Sequence, residues 1–252
     1  MSDIYKKKNV AENFDFARSM PDETLAFWMD TLRKTVPALN VEKILDLGGG
    51  TGRFAGALQR AYNCHVIVFD PAEEMLDQGR KRGFWNTSWV CGVGEDIPLE
   101  TGEIDIVWMS NAFHHLDNKS RTLKEVYRVL KPQGFLAIRN GTRETDAEIK
   151  WMDLVPEVRQ SENYNIPHRI DIINEVLSNG FSLVKTEVVY QKFASTYLEY
   201  YEKISRRGLS LLISISDEAF NRGMANVRKW IDTQPRDQPV YEPIDFFVFH
   251  KP

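Results

Sequence analysis

The stretch Ile44-Leu-Asp-Leu-Gly-Gly-Gly-Thr-Gly-Arg53 decides the fold. A short apolar run enters glycines, and helical character follows at Phe54–Ala61. A strand that turns through glycines into a helix is the opening unit of an open α/β sheet, whose ligands settle at the carboxyl ends of the strands, near the point where strand order reverses. Glycines there let a ligand approach the backbone, and the helix N-terminus offers unpaired N–H groups. Asp70 closes the next apolar run, 22 residues after Gly48, where a carboxylate can accept both hydroxyls of a ribose.

Outward from this stretch the same rhythm continues. Val41–Leu47, His65–Phe69, Ser88–Gly92, Ile104–Ser110 and Phe135–Asn140 read as strands, with helical segments at Phe54–Ala61, Ala72–Arg82 and Ser120–Leu130. Apolar strands alternating with helices predict a parallel sheet covered on both faces. Residues 1–40 read as a helical cap in which Asp22 caps a helix carrying Trp28, Leu32 and Val36, and Pro37 ends it.

Beyond residue 140 the rhythm loosens. Residues 144–163 read as helical, Asp171–Leu177 as a helix closed by Asn179-Gly180, and Phe181–Tyr190 as a strand. A long helical tract, Ser195–Asp232, breaks near Ser214–Ser216, with Asp217 as the cap of its second half. Pro235–Pro243 is a polar connection, and Ile244–His250 is the last strand. The expected fold is α/β, Rossmann-like and doubly wound, with a mostly parallel seven-stranded sheet and helical insertions forming a lid. It is read as one domain over 1–252: an N-terminal helical cap (1–40), a core (41–140) and a C-terminal half (141–252) with insertions at about 144–167 and 195–232.

Composition excludes several classes. With 42% hydrophobic and 27% charged residues the chain is an ordinary globular one. Its 32 Lys+Arg against 36 Asp+Glu leave a net charge of −4, with no global attraction to phosphate backbones or anionic membranes. Cys64 and Cys91 are two isolated cysteines in strand-like runs, expected to be small buried hydrophobes; they make neither a disulfide framework nor a metal cluster. No apolar run approaches the length of a membrane span, and no apolar core follows Lys6–Lys8 to make a signal peptide. A cytoplasmic location is the expectation.

The glycines narrow the ligand. The dinucleotide pattern G-x-G-x-x-G/A matches only in a shifted frame, Gly50-Thr-Gly-Arg-Phe-Ala55. Asp46, inside the strand end, suits a cationic amino group better than a pyrophosphate. At this point the chain resembles the class I S-adenosylmethionine-dependent methyltransferases, closely over residues 10–140. Ile44–Arg53 is similar to their first motif, and Val66-Ile-Val-Phe-Asp-Pro71 to the acidic end of the second strand. Gly92-Val-Gly-Glu-Asp-Ile-Pro98 is similar to the loop beside the adenine, Asp105–Leu116 to the fourth strand and its loop, and Glu125–Gly134 to the helix and turn before the fifth strand.

The resemblance implies S-adenosyl-L-methionine as cofactor and assigns roles. Asp46 and the backbone of Gly48, Gly50 and Gly52 would hold the methionyl part. Asp70, followed by Pro71, would bind the ribose. Gly94, Glu95 and Asp96 would frame the adenine; many relatives carry an Asp where this chain has Val93, so Glu95 or Asp96 takes that contact. Met75 covers the adenine face or fills the core. Asn111 would line the sulfonium region. Asn13-Phe-Asp-Phe-Ala-Arg18 is similar to the segment that folds over the cofactor, so Arg18 could pair with the methionyl carboxylate; Arg53 competes for that role, and each could equally be a surface arginine.

Methyl transfer from a sulfonium is an in-line displacement, and the protein's main task is alignment. His114 is the candidate general base, facing the pocket, with His115 packing beside it. Two structural histidines are the other reading. Trp151, Met152, Tyr164, Tyr197, Tyr200 and Tyr201 are the candidate aromatic lid that selects the acceptor, or simply pack the insertions. The expected acceptor is a small molecule, with no nucleic acid, membrane or metal partner. A nucleic-acid or protein methyltransferase is one alternative: Ser110-Asn-Ala-Phe113 lacks the Asn/Asp-Pro-Pro-aromatic sequence used on base amines. A nicotinamide-dependent oxidoreductase and a non-catalytic S-adenosylmethionine-binding protein are the others.

Overall fold

The computed structural model describes residue 17 and residues 19–37 and 39–252. Helix α1 (Asp22–Thr35) precedes five strands with three helices among them: β1 (Lys43–Leu47), α2 (Ala55–Tyr62), β2 (His65–Asp70), α3 (Glu73–Arg80), β3 (Thr87–Cys91), β4 (Ile104–Ser110), α4 (Lys119–Val129) and β5 (Leu130–Asn140). The first insertion breaks into α5 (Arg143–Asp146), α6 (Lys150–Leu154) and α7 (Glu157–Gln160). Then come α8 (Arg169–Ser178), β6 (Ser182–Ala194), a second insertion of α9 (Tyr197–Ser205), α10 (Ser210–Ile213) and α11 (Asp217–Ile231), and β7 (Val240–His250).

The strand order is β3-β2-β1-β4-β5-β7-β6. Strands β1 to β5 pair in parallel, and β7 runs antiparallel between β5 and β6. The sheet is therefore seven-stranded, mostly parallel and doubly wound. Order reverses between β1 and β4, which opens a crevice at their carboxyl ends.

Strand alternation sends side chains to two cores. Ile44 joins Trp28, Leu32, Leu58 and Trp108 under α1 and α2. Leu45 and Leu47 join Leu123, Val126, Ile172 and Val176 under α4 and α8. The insertions build a third core from Trp151, Val155, Tyr200, Leu212 and Val227.

Several local expectations shift. The helical reading of residues 144–163 resolves into three short helices, with Thr142 and Pro156 each beginning a new turn. Asp217 is the first helical residue; the cap is Ser216, whose hydroxyl accepts from the Ala219 N–H. Pro21, not Asp22, precedes α1, and Asp22 lies in the first turn. Cys64 is buried as expected, but Cys91 is exposed, because it ends the edge strand β3.

The insertions are tied to the sheet by polar groups. Asp245 on β7 is fully buried; it accepts from Arg169 Nε at 2.5 Å and from Thr142 Oγ1 at 2.5 Å. Asp245→Ala should lower unfolding free energy by about 3 kcal/mol, because a buried hydrogen-bonded charge loses its partners. Urea unfolding of the variant beside Asp245→Asn checks this, with Asn expected to cost less.

Candidate functional site

The site is built where β1 turns. Gly48 has φ +70°, and a Cβ on it would lie 2.5 Å from the Ala112 Cβ, so only glycine lets this turn press against the loop after β4. The Gly48 N–H donates to the Phe69 carbonyl at 2.8 Å, which locks the turn to β2. Gly50 has φ +55°, and its missing side chain leaves space bounded by Met75 Cε and Asp70 Oδ2. Gly52 instead rests on the Trp89 ring, beneath the loop.

Asp70 ends β2 inside this turn. Its Oδ2 accepts from the Gly50 N–H and its Oδ1 from the Ala72 N–H, both at 2.9 Å. Burial pushes its pKa up to about 6 against the pull of these two donors. Each carboxylate oxygen keeps a second lone pair for a hydroxyl. Asp46 is 2% exposed, and its Oδ2 has no hydrogen-bond partner. Desolvation pushes Asp46 up to about 7, opposed by Arg53 and reinforced by Asp70. A buried, unpartnered carboxylate oxygen beside a glycine turn fits a bound ammonium group. The described residues therefore fit the methionyl and ribose parts of the expected cofactor.

Two cavities flank the turn. One, with about 490 Å³ of empty space, is lined by Gly48, Phe69, Pro71, Val93, Gly94 and Glu95, with His115 at its side. Its size and apolar walls fit a purine. The Glu95 carboxylate accepts from the Asn118 N–H at 2.9 Å, while Asp96 is not among the lining residues. Met75 is buried beside Gly50, facing the same space.

The second cavity is an open cleft with about 810 Å³ of empty space. Arg53, Asn111, His114 and Phe193 line it from the sheet side, Trp151, Met152 and Leu211 from the insertions. Asn111, at φ +52°, accepts from the Gly141 N–H with its Oδ1 at 3.1 Å. His114 lies on a 3₁₀ turn, Phe113–His115, and is 7% exposed. Its Nδ1 is 3.3 Å from Asn140 Oδ1, while Asn140 Nδ2 donates to the Gly141 carbonyl. That amide orientation places the ring proton on Nδ1 and makes Nε2 the basic nitrogen. His115 stacks against it at 4.0 Å between ring centres and lines the other cavity.

The lid expectation divides. Trp151 and Met152 line the cleft. Tyr164 stands behind it, its hydroxyl 3.4 Å from Asp146 Oδ2. Tyr197, Tyr200 and Tyr201 do not line the cleft: the first two pack edge-on against Trp230, and Arg228 lies over the third. Helix α9 turns its aromatic face toward α11, so those rings build the inserted core. Arg18 lies outside the described residues, whereas Arg53 reaches the cleft. Sequence reasoning missed Arg139, Asp146, Phe193 and Glu242 in this cleft. They come from elements far apart in the chain, and no spacing announces them.

Residues 45–138 match the methyltransferase domain family. They form a class I S-adenosylmethionine-dependent methyltransferase domain. The cofactor of that family is S-adenosylmethionine. An uncharacterised methyltransferase-like protein of Schizosaccharomyces pombe is 37% identical over 115 residues, which is 46% of this chain and 43% of that protein. The ubiquinone/menaquinone biosynthesis C-methyltransferase of Rubrivivax gelatinosus is 37% identical over 102 residues, 40% of each chain. The chain thus spans less than half the length of either relative. The structure of Haemonchus contortus phosphoethanolamine N-methyltransferase 2 in complex with S-adenosyl-L-methionine superposes with a TM-score of 0.62. At 19% identity, over 98% of this chain and 57% of that one, the likeness is one of fold. The methyltransferase domain takes in the glycine turn, Asp70, the purine-sized cavity and His114, while the inserted wall of the cleft lies outside the matched residues.

The buried carboxyls of the domain set its pH response. A carboxyl with a higher pKa folded than unfolded holds its proton more tightly in the folded state. Stability is then fully present below the unfolded value, 3.8 for Asp46, and is lost as pH rises through the folded value of about 7. The ligand-free protein should melt at progressively lower temperature between pH 5 and 8, each pH unit costing up to about 1.4 kcal/mol per such group. Asp46→Asn should flatten this dependence and raise the melting temperature at pH 8, read by differential scanning calorimetry across that range.

Proposed function

We propose that the protein transfers a methyl group from S-adenosyl-L-methionine to a small-molecule acceptor by in-line displacement. The observation that carries this is the cleft itself. Side chains next to the glycine turn and side chains of both insertions share one cavity, so an acceptor held by the insertions would meet the cofactor's reactive end. A recess roofed by inserted helices suits a compact acceptor better than a nucleic-acid duplex or a folded protein, and a nucleic-acid partner is not indicated. The Rubrivivax relative, named for a C-methyltransferase of ubiquinone/menaquinone biosynthesis, is in keeping with a small acceptor.

The cofactor, when bound, supplies a methyl group already activated on a sulfonium. The chain's residues bind, orient and exclude water. Asp70 accepts the ribose hydroxyls, and Asp46 with the Gly48, Gly50 and Gly52 backbone receives the methionyl end. Arg53, the described arginine at that end, takes the methionyl carboxylate. Pro71, Met75, Gly94 and Glu95 frame the adenine, with Asp96 beside them. Asn111 borders the sulfonium and spaces it from the acceptor. His114 Nε2 receives the acceptor's proton. The two halves of the chain act as one domain, and the free thiols of Cys64 and Cys91 suit a reducing, cytoplasmic setting.

Asp70→Ala should weaken S-adenosylhomocysteine binding about 30–150-fold, the worth of about 2–3 kcal/mol of charge-assisted hydrogen bonds. Calorimetric titration checks it; unchanged affinity would remove Asp70 from the cofactor site. His114→Ala should cut turnover on a verified acceptor about 100-fold while leaving S-adenosylhomocysteine affinity as it was. Single-turnover kinetics separate those two effects, and wild-type turnover in the variant would strike His114 from the mechanism.

A further inference from the structure

The cleft is lined by charges of both signs. Its cations are already engaged. Arg139 is 1% exposed; it donates to Ser110 Oγ at 3.0 Å and to Gln191 Oε1 at 2.7 Å. Its guanidinium lies 5.0 Å from the Trp28 ring centre. Arg53 belongs to the glycine turn, where it faces Asp46.

The acids of the cleft are Asp146, from the first insertion, and Glu242, from strand β7. Asp146, at the end of α5, is 6% exposed. Its nearest side-chain donor is the Tyr164 hydroxyl at 3.4 Å, and Arg159 binds its backbone carbonyl rather than its carboxylate. Glu242, on β7, accepts from the Tyr200 hydroxyl at 2.6 Å and from Trp151. Among the described residues neither carboxylate forms an ion pair with a lysine or arginine. Burial pushes both up to about 7, against the Tyr164 hydrogen bond and Arg159 at Asp146; at Glu242 the Asp146 charge adds to the rise, against the Tyr200 hydrogen bond and Arg139. The apolar and aromatic surfaces of Ile149, Trp151 and Phe193 line the same cleft.

Carboxylates with no ion-paired lysine or arginine, set beside aromatic faces in a cleft, replace the hydration of an alkylammonium. We propose that the Asp146–Glu242 wall binds a protonated amine, so that the methyl acceptor is an amine nitrogen. This rests on the methyl-transfer reading above. One proton passes from the bound ammonium to His114 Nε2. The freed nitrogen lone pair forms the new N–C bond, the S–C bond breaks with its electron pair left on sulfur, and the product is an N-methylammonium. The positive charge facing Asp146 and Glu242 is therefore present before and after transfer.

The test is binding, not turnover. Benzylammonium, benzyl alcohol and benzoate share one ring and differ in charge; each is titrated calorimetrically into the protein, with and without S-adenosylhomocysteine. Benzylammonium should bind at least ~10-fold more tightly than benzyl alcohol, and benzoate most weakly. Asp146→Asn and Glu242→Gln should each lower benzylammonium affinity ~5-fold or more and together abolish the preference, with S-adenosylhomocysteine affinity unchanged. The wild-type ranking needs no variant to fold, and thermal melting checks the variants. Equal affinities, preference for benzoate, no binding of any of the three, or a preference that survives the double variant overturns the amine assignment. If S-adenosylhomocysteine fails to bind while the cation preference stands and needs both carboxylates, the cofactor reading falls and the amine site remains. If S-adenosylhomocysteine binds without a cation preference, the amine site falls alone.

Discussion

Nothing larger than hydrogen fits at residue 48. A Cβ there would collide with Ala112 at 2.5 Å, and this single contact fixes how the turn after β1 meets the loop after β4. Those two connections diverge from the point where strand order reverses, so the crevice is pinched at its middle and leaves a chamber on each side. One chamber has the apolar walls of a purine site. The other receives both insertions. Asp70 and Asp46 stand at the pinch, one at the end of β2 and one inside β1, where each can face a different part of a single extended ligand.

The first 140 residues were legible because their signals are local. The inner strands β1, β2 and β4 are buried on both faces and read as mainly apolar runs, and their carboxyl ends carry a glycine, an acid or an asparagine. Asp70 and His114 could be placed at strand ends for that reason alone. The C-terminal half resisted because its packing is not periodic. Residues 144–163 look amphipathic as a block, but Pro156 divides them, and the pieces are held by contacts to β7 and α11 rather than by helical propensity. Tyr197, Tyr200 and Tyr201 looked like a lid, yet the helix that carries them turns them toward Trp230 and Arg228.

Charges inside the sheet were the hardest to foresee. Arg139 sits in Phe-Leu-Ala-Ile-Arg-Asn, a run that reads as plain strand. Its burial is tolerable because Ser110, Gln191 and the faces of Trp28 and Phe54 together replace its water. Asp46, Asp146 and Glu242 are buried as well, and all three are displaced toward neutrality by their surroundings. Groups of this kind are costly in the ligand-free fold, and a site retains them where a ligand completes them. Asp146 and Glu242 line the cleft, and Asp46 lies beside the glycine turn next to it, so the cost is concentrated where binding can repay it.

The position of β7 has a consequence for synthesis. In chain order it is the last strand, but in space it lies between β5 and β6. Until residues 240–250 emerge, β6 has no neighbour to pair with and β5 presents an open edge. The five parallel strands can assemble early on the ribosome, while the remaining strand, the inserted helices and Asp245's ties to Thr142 and Arg169 must wait. The second chamber is thus the final part of the molecule to take shape, and a nascent chain halted before residue 240 would expose the edges of β5 and β6 to chaperones or to other chains.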